Sequence, residues 1–372
     1  MDSETFATAE IERFPGKAAQ GKHTRIDAAR LGGARKAFTT RNVDFRLARR
    51  LTTRVAPTAG DLVLARVETV GHHTKLELTT GRRSKLYPGD EVIVAYGARY
   101  APDQFHADVP PSLDACDLVA GGGLAGRVIT RHAKAGRPTR LQPLGLLSDS
   151  SGLVLNLKRF ARVSPPGPKR AAVAVVCGTS MNSGKTTTAA SLIQGLKRAG
   201  LKVAGVKVTG TGSGGDLWSM ADAGAATVLD FTDFGHASTA GLPHTEVLRV
   251  ADGLIDLGSS AGADVVVVEI ADGLLQEETA ALLSSRAFAG RIDTLFFAAG
   301  EAMGAVAGVE WLRKRGLPLV AVSGLISASP LGATEAERAT GVPVVTIQEL
   351  EDHLAPKLCL SVPETARRTA IG

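Results

Sequence analysis

The sequence predicts an α/β fold: a parallel sheet covered by helices over residues 171–372, preceded by a small β-rich domain at 55–162 and a basic, partly helical arm at 1–54. Three observations carry this. Beyond the Pro-rich stretch 163–170, short Val/Ile-rich runs alternate with helical segments, as in strands buried on both faces. Ahead of it, β-branched runs are separated by turn signatures such as Thr80-Gly81 and Pro88-Gly89-Asp90, with no helical pattern between them. At the head of the C-terminal half, an apolar run at 173–177 ends in Gly178, a polar loop follows, and Gly184-Lys185-Thr186 opens an Ala/Leu-rich segment.

The 372 residues suit two domains better than one. With 44% apolar and 22% charged residues the composition is globular, and no apolar run approaches the roughly 20 residues that span a bilayer. The N-terminus lacks an apolar h-region, so the expectation is a cytoplasmic protein with no membrane partner. Cys116, Cys177 and Cys359 are scattered, which fits a reducing compartment and no structural zinc. The net charge of +6 is concentrated at the start: the first 60 residues hold 12 Lys+Arg against 6 Asp+Glu, and the remainder balances at 31 of each. A solvated arm or oligomerisation element fits that charge better than a nucleic-acid partner, because no aromatic or Gly pattern accompanies it.

In order along the chain, helical stretches are expected at 26–35 and 43–51, broken by Gly32-Gly33. Strands follow at 61–67, 74–78, 91–95, 126–130, 139–141 and 153–157, enough for a small barrel, with an excursion over 96–118. Gly121-Gly122-Gly123 reads as a hinge or tight turn, and His72-His73 as a strand pair without a third metal ligand. Proline stiffens the linker at 163–170. The parallel strands are expected at 171–177, 202–208, 264–270, 293–298, 318–325 and 343–347. Helices are expected at 185–199, 245–258, 276–288, 302–315, 333–340 and 348–354.

In such sheets ligands bind at the carboxyl ends of the strands. The first strand delivers the strand–loop–helix order of a P-loop, one residue longer than usual: five residues separate Gly178 from Gly184. Backbone N–H groups from Gly178 and Thr179 through Asn182, Ser183 and Gly184 to Thr187 would wrap a phosphate chain. Lys185 would reach the outer phosphates and the Thr186 hydroxyl would ligate Mg²⁺. The second strand ends in Lys207, a cation that calls for an anion when buried. Behind it, 209–216 is rich in Gly and Thr and reads as a mobile cover. The third ends in Glu269 and then Asp272; both qualify as the acid that holds Mg²⁺, with helix capping as the plain alternative for Asp272. An Asn-Lys-x-Asp pattern is missing after the later strands, which favours ATP over GTP, and Ser323-Gly324-Leu325-Ile326 occupies the place of a base-binding loop. Asp233-Phe234-Gly235 echoes a kinase motif, but without the companion kinase motifs it is assigned no phosphotransfer role.

Together these residues resemble two families over the C-terminal 200 residues. The Gly178-Thr179…Gly184-Lys185-Thr186 spacing, Lys207-Val208-Thr209-Gly210-Thr211-Gly212 and the run 267–275 look like dethiobiotin synthetase and the cobyric-acid synthase group. Asp216-Leu217-Trp218 followed by Ala223-Gly224-Ala225 is similar to the MobB molybdopterin-guanine-dinucleotide accessory proteins. The sequence departs from the synthetase pattern at Ser180, at Ile270 and in lacking Pro after Lys207. The resemblance implies Lys185 on phosphates, Thr186, Asp216 and Glu269 around Mg²⁺, with Asp222 in reserve for Asp216, and Lys207 on substrate or γ-phosphate. It also implies a homodimer and an ATP-dependent ligase that activates a small-molecule substrate, or, on the MobB side, a nucleotide-binding accessory to a partner enzyme.

Overall fold

The computed structural model describes residues 21–163 and 170–360. The first 20 residues of the expected arm and positions 164–169 of the expected linker lie outside them. No helix among the described residues is long and apolar enough to cross a membrane.

The C-terminal part is a six-stranded, wholly parallel sheet. In chain order its elements begin with β1 (Ala172–Gly178), α1 (Lys185–Arg198), β2 (Val203–Lys207), α2 (Gly215–Asp222) and β3 (Thr227–Asp230). They continue with α3 (His244–Ser260), β4 (Val265–Glu269), α4 (Glu277–Ser284), α5 (Arg286–Ala289), β5 (Thr294–Ala298), α6 (Ala302–Arg313), β6 (Leu319–Ser323) and α7 (Pro330–Thr340). The strand order is β3-β2-β4-β1-β5-β6. Alternation along β1 explains the continuous apolar run: Val173, Val175 and Cys177 pack against the α3 side, while Ala174 and Val176 pack against Ala189, Leu192 and Ile193 of α1. Burying both faces leaves the strand ends as the place for polar groups, and register sets them side by side. Glu269 at the end of β4 lies opposite Val176 of β1 and Lys207 of β2.

Two elements differ from expectation. The strand expected at 343–347 makes only an isolated parallel bridge, Val322 with Val344, because Thr346 already opens the next helix through a reciprocal cap with Glu349. The run 209–216 is not wholly loop: α2 begins inside it at Gly215, and β3 follows. Glycine hides a helix start from a propensity reading, and here an anchor from outside the segment supplies what propensity lacks.

The N-terminal part is built around strands whose pairings close into a ring. Leu62–Thr69 pairs with Glu91–Tyr96 and with Thr139–Ser148; Leu124–Arg131 pairs with Glu91–Tyr96 and Cys116–Ala120; and Cys116–Ala120 returns to Thr139–Ser148. Val63, Ala65, Val67, Val92, Val94, Tyr96, Cys116 and Leu118 fill its interior at every second position. Residues 153–157 make only bridges to this ring, through Val154 and Asn156.

Within the described residues, the arm reading is corrected. Lys22–Arg25 and Arg50–Thr53 are strands that extend the same sheet through Leu51 and Leu147. Of the helices expected at 26–35 and 43–51, one shortens to Ala28–Gly33 and the other to a single 3₁₀ turn, Phe45–Leu47. β-Branched Thr52 and Thr53 favour the pairing that ends the second. Three of the basic side chains here find partners within the fold: Arg30 pairs with Glu91, Arg35 with Asp90, and Arg41 with Asp230 and Asp233.

Candidate functional site

A cavity of about 440 Å³ opens at the carboxyl ends of β1, β2 and β4. The P-loop forms one wall. Gly178 ends β1 so tightly packed that a Cβ there would sit 2.5 Å from Ser183 Oγ and 2.7 Å from the Ala298 carbonyl oxygen. Asn182 and Gly184 take positive φ, 61° and 98°, and a Cβ at Gly184 would lie 2.7 Å from Gly324 Cα. Only glycine combines that conformation with that approach. α1 therefore starts with its N–H groups directed at the loop, which makes an anion seat. Lys185 curls back over the loop and donates to the Ser180 carbonyl oxygen at 2.6 Å.

Next to it, the Thr186 hydroxyl lies 2.9 Å from Glu269 Oε1 and 3.0 Å from Asp216 Oδ1. Asp216, in the first turn of α2, also pairs with Lys207 from the end of β2. Burial disfavours charge on both partners, yet Lys207 holds Asp216 below the usual carboxylate range and is itself raised by Asp216 and Glu269. Glu269 is 2% exposed, and burial with the neighbouring Asp216 charge pushes it up to about 7. Its second oxygen is buried without a hydrogen-bond partner. Burial lowers Lys185, with Glu269 and Asp272 opposing, and raises Asp272, which adopts a left-handed φ of 60°.

The structure thus brings Lys185, Thr186, Thr187, Asn182, Gly184, Lys207, Asp216, Glu269 and Asp272 to one cavity. Thr179 lines a second cavity of about 370 Å³ that shares Tyr100, Met181, Asn182 and Asp272 with the first, and Ser183 is buried. Asp222 ends α2 and does not line either. The donor set suits a divalent cation shared with phosphate. Among the described residues no three His, Cys, Asp or Glu side chains form a self-contained metal cage. Mg²⁺ characteristically needs only one or two carboxylates when phosphate and water complete its shell, and the orphaned Glu269 oxygen is a ready donor.

Sequence reasoning missed the opposite wall. Arg99, Tyr100 and Ala101 of the β-rich part line the same cavity. The only signal was an arginine in an otherwise apolar stretch following Tyr96.

The β-rich part also grips the α/β part through polar joints. Buried Glu77 accepts hydrogen bonds from Trp218 Nε1 at 2.8 Å, Gly214 N at 3.0 Å and Ser213 Oγ at 3.2 Å, so it holds the start of α2. Arg41 donates to Asp230 at 3.0 Å and Asp233 at 2.8 Å, and Asn42 to Asp233 at 2.9 Å. Asp233 of the kinase-like triplet is thereby a buried structural acid. Gly121-Gly122-Gly123 is a site of close approach as well as a turn: a Cβ on Gly122 would lie 2.0 Å from the Gly212 carbonyl oxygen. His72-His73 lies in the turn after Leu62–Thr69, where His73 Nδ1 meets the Leu118 carbonyl oxygen at 3.1 Å.

No protein-family model matches the sequence, and no curated protein matches it. Among solved structures, the chain is similar to the signal recognition particle 54 kDa protein from Aeropyrum pernix K1 in complex with GDP, at 26% identity and a TM-score of 0.35. That match covers 51% of this chain and 44% of the other, so the chain spans less than half of that protein's length. It is also similar to the signal recognition particle receptor FtsY from Elizabethkingia anophelis, at 18% identity and a TM-score of 0.36, over 53% of this chain and 67% of the other. The GDP complex of that receptor gives 16%, 0.37, 54% and 68%. The α/β P-loop fold of this protein rests on its own strand order, loop and strand-end residues.

Proposed function

We propose that the protein is an ATP- and Mg²⁺-dependent enzyme of synthetase type, which activates a small-molecule substrate by phosphoryl transfer. One observation carries the reading: the Thr186 hydroxyl touches both Asp216 and Glu269 at the head of the helix that follows the P-loop, with Lys207 paired to the same Asp216. A nucleotide-binding loop needs no second lysine and no pair of acids to hold phosphates alone; phosphoryl transfer uses such groups to place charge and acceptor.

In this reading the P-loop amides and Lys185 take the triphosphate, Lys185 exchanging the Ser180 carbonyl for phosphate oxygens. Thr186, Asp216 and Glu269 would hold Mg²⁺, whose bound charge offsets that of the transferred phosphoryl group. Lys207 stays protonated beside Asp216, so it serves as a donor to an acceptor oxygen and not as a base. Ser323 Oγ is committed to the Val345 carbonyl oxygen, whereas Leu325, 58% exposed, flanks the cavity mouth, which suits a base held by apolar contact. The missing Asn-Lys-x-Asp pattern after the later strands favours ATP over GTP. Dethiobiotin synthesis itself is not required by this geometry.

The test is a screen of small metabolites for stimulated ATP consumption, run against GTP and against candidate protein partners. Stimulation by a small acid or amine supports the synthetase reading, and stimulation by a protein alone supports an accessory role. Lys185→Ala should abolish MgATP binding, measured as a ligand-induced rise in melting temperature. A Lys185→Ala protein that consumes ATP at the wild-type rate sinks the proposal.

A further inference from the structure

Among the described residues, Arg99 is the one cation lining the cavity that comes from the β-rich part. It sits on the short strand Arg99–Tyr100, paired with Phe105–Asp108. The residue is 7% exposed, yet among the described residues its guanidinium takes part in no ion pair. Nη2 donates to Gln104 Oε1 at 2.8 Å, and Nη1 lies 3.4 Å from His73 Nε2. The His73 ring supports that contact as an acceptor. Its Nδ1 faces the Leu118 carbonyl oxygen and must carry the proton, which leaves the Nε2 lone pair toward Arg99. Burial and the Arg99 charge keep this ring neutral by lowering His73 to about 3. Arg99 Nε is buried with no partner.

An arginine kept for packing normally meets a carboxylate, because burying an uncompensated guanidinium is costly. Here both partners are neutral, and the Asp103 and Asp272 charges act on it without forming a pair. Burial accordingly lowers Arg99 to about 10. The same hairpin is fixed to the phosphate loop: Asn182, in its left-handed conformation, donates to Asp103 Oδ2 at 3.1 Å. Asp103 Oδ2 is thus engaged by the loop while its Oδ1 has no partner, and Arg99 lines the cavity that Lys185 and Lys207 also line, with one N–H on each Nη beyond those directed at Gln104 and His73.

We propose that Arg99 is the receptor for an oxyanion, a carboxylate or a phosphate, on the molecule that shares this cavity with the P-loop. The planar fork suits two parallel N–H···O bonds, a geometry that lysine does not offer. The inference rests on the nucleotide reading of the same cavity and deepens it: the β-rich part selects an anionic group. That group is either the terminal phosphate of the triphosphate or the acid function of the second substrate.

The full-length chain and its Arg99→Met and Arg99→Lys variants decide it by calorimetry and thermal shift. The probes are MgADP, Mg²⁺ with a non-hydrolysable ATP analogue, inorganic phosphate, and malonate or succinate. The last three are run on the free and the MgADP-bound protein. Arg99→Met should weaken the ATP analogue relative to MgADP, or the small anions, by about 10- to 100-fold, as loss of a charged hydrogen-bonded pair does. Loss confined to the analogue places the oxyanion on the nucleotide, and loss confined to the small anions places it on the second substrate. Arg99→Lys should restore part of the affinity. The melting temperature of free Arg99→Met should equal or exceed that of the wild type, whereas a packing role would lower it. Wild-type affinity of Arg99→Met for every probe, or a wild-type protein that distinguishes none of these anions, overturns the proposal. Failure of MgADP to bind the wild type would instead count against the nucleotide reading, with the free-protein anion arms still judging Arg99.

Discussion

Glu77 offers the sharpest test of whether the β-rich part positions Asp216, the acid proposed to face Mg²⁺. The residue is 4% exposed and accepts from Trp218 Nε1, Gly214 N and Ser213 Oγ at 2.8–3.2 Å, on both sides of Asp216 in the chain. Replacing it by Ala strands the buried Gly214 N–H and the half-buried Trp218 Nε1–H, each costing about 1–3 kcal/mol, and removes charge-assisted bonds. With local relaxation the expected loss is about 3–5 kcal/mol, a large share of the 5–15 kcal/mol typical of a domain. Glu77→Gln keeps one acceptor oxygen and should lose about 1–2 kcal/mol. Urea unfolding reads the stability, and the emission of Trp218 in a Trp311→Phe background reports the anchor. The functional readout is the Mg²⁺ concentration that half-saturates nucleotide binding. In Glu77→Ala it should rise at least about fivefold, roughly 1 kcal/mol, while Mg²⁺-free nucleotide affinity stays put. A variant with the expected stability loss but an unchanged Mg²⁺ requirement would refute the idea that Glu77 positions Asp216.

Arg41→Ala should destabilise by about 3–5 kcal/mol in urea unfolding, because it leaves Asp230 buried without its cation and Asp233 with only the half-exposed Arg162. Gly122→Ala should cost about 1–3 kcal/mol by driving a Cβ against the Gly212 carbonyl, whereas Gly121→Ala, whose Cβ would meet its nearest atom at 3.5 Å, should be close to neutral. His73 gives a pH signature. It is held near 3 when folded against 6.5 when unfolded, so its contribution is complete above pH 6.5. Below that the unfolded chain takes up the proton, and stability falls by up to about 1.4 kcal/mol per pH unit, levelling off only near pH 3. His73→Asn should flatten this slope between pH 6.5 and 5 in unfolding free energies measured across that range; an identical slope in both proteins contradicts the assignment.

The α/β half was legible because its information is local. Five largely apolar strands end in Gly178, Lys207, Glu269, Ala298 or Ser323, and register alone then gathers the loop, the lysine and the acid. What sequence could not show is held by partners far along the chain. α2 starts at a glycine-rich run only because Glu77, 137 residues earlier, ties down Gly214. Residues 22–53 read as a charged helical arm because Arg30, Arg35 and Arg41 look solvated until Glu91, Asp90 and Asp233 are brought to them. Arg99 stayed invisible for the same reason: its placement depends on the hairpin reaching Asn182.

The polar joint between the two parts has a consequence for any attempt to recombine them. An oily contact tolerates exchange of one apolar side chain for another, but this one is a set of matched donors, acceptors and bare backbone. Changing Arg41, Glu77 or Gly122 alone leaves a charge, an amide or a carbonyl without its complement in Asp230, Asp233, Trp218 or Gly212. A chimera that borrows the α/β half of another protein must carry both sides of this joint together, so the two parts are inherited as one cassette.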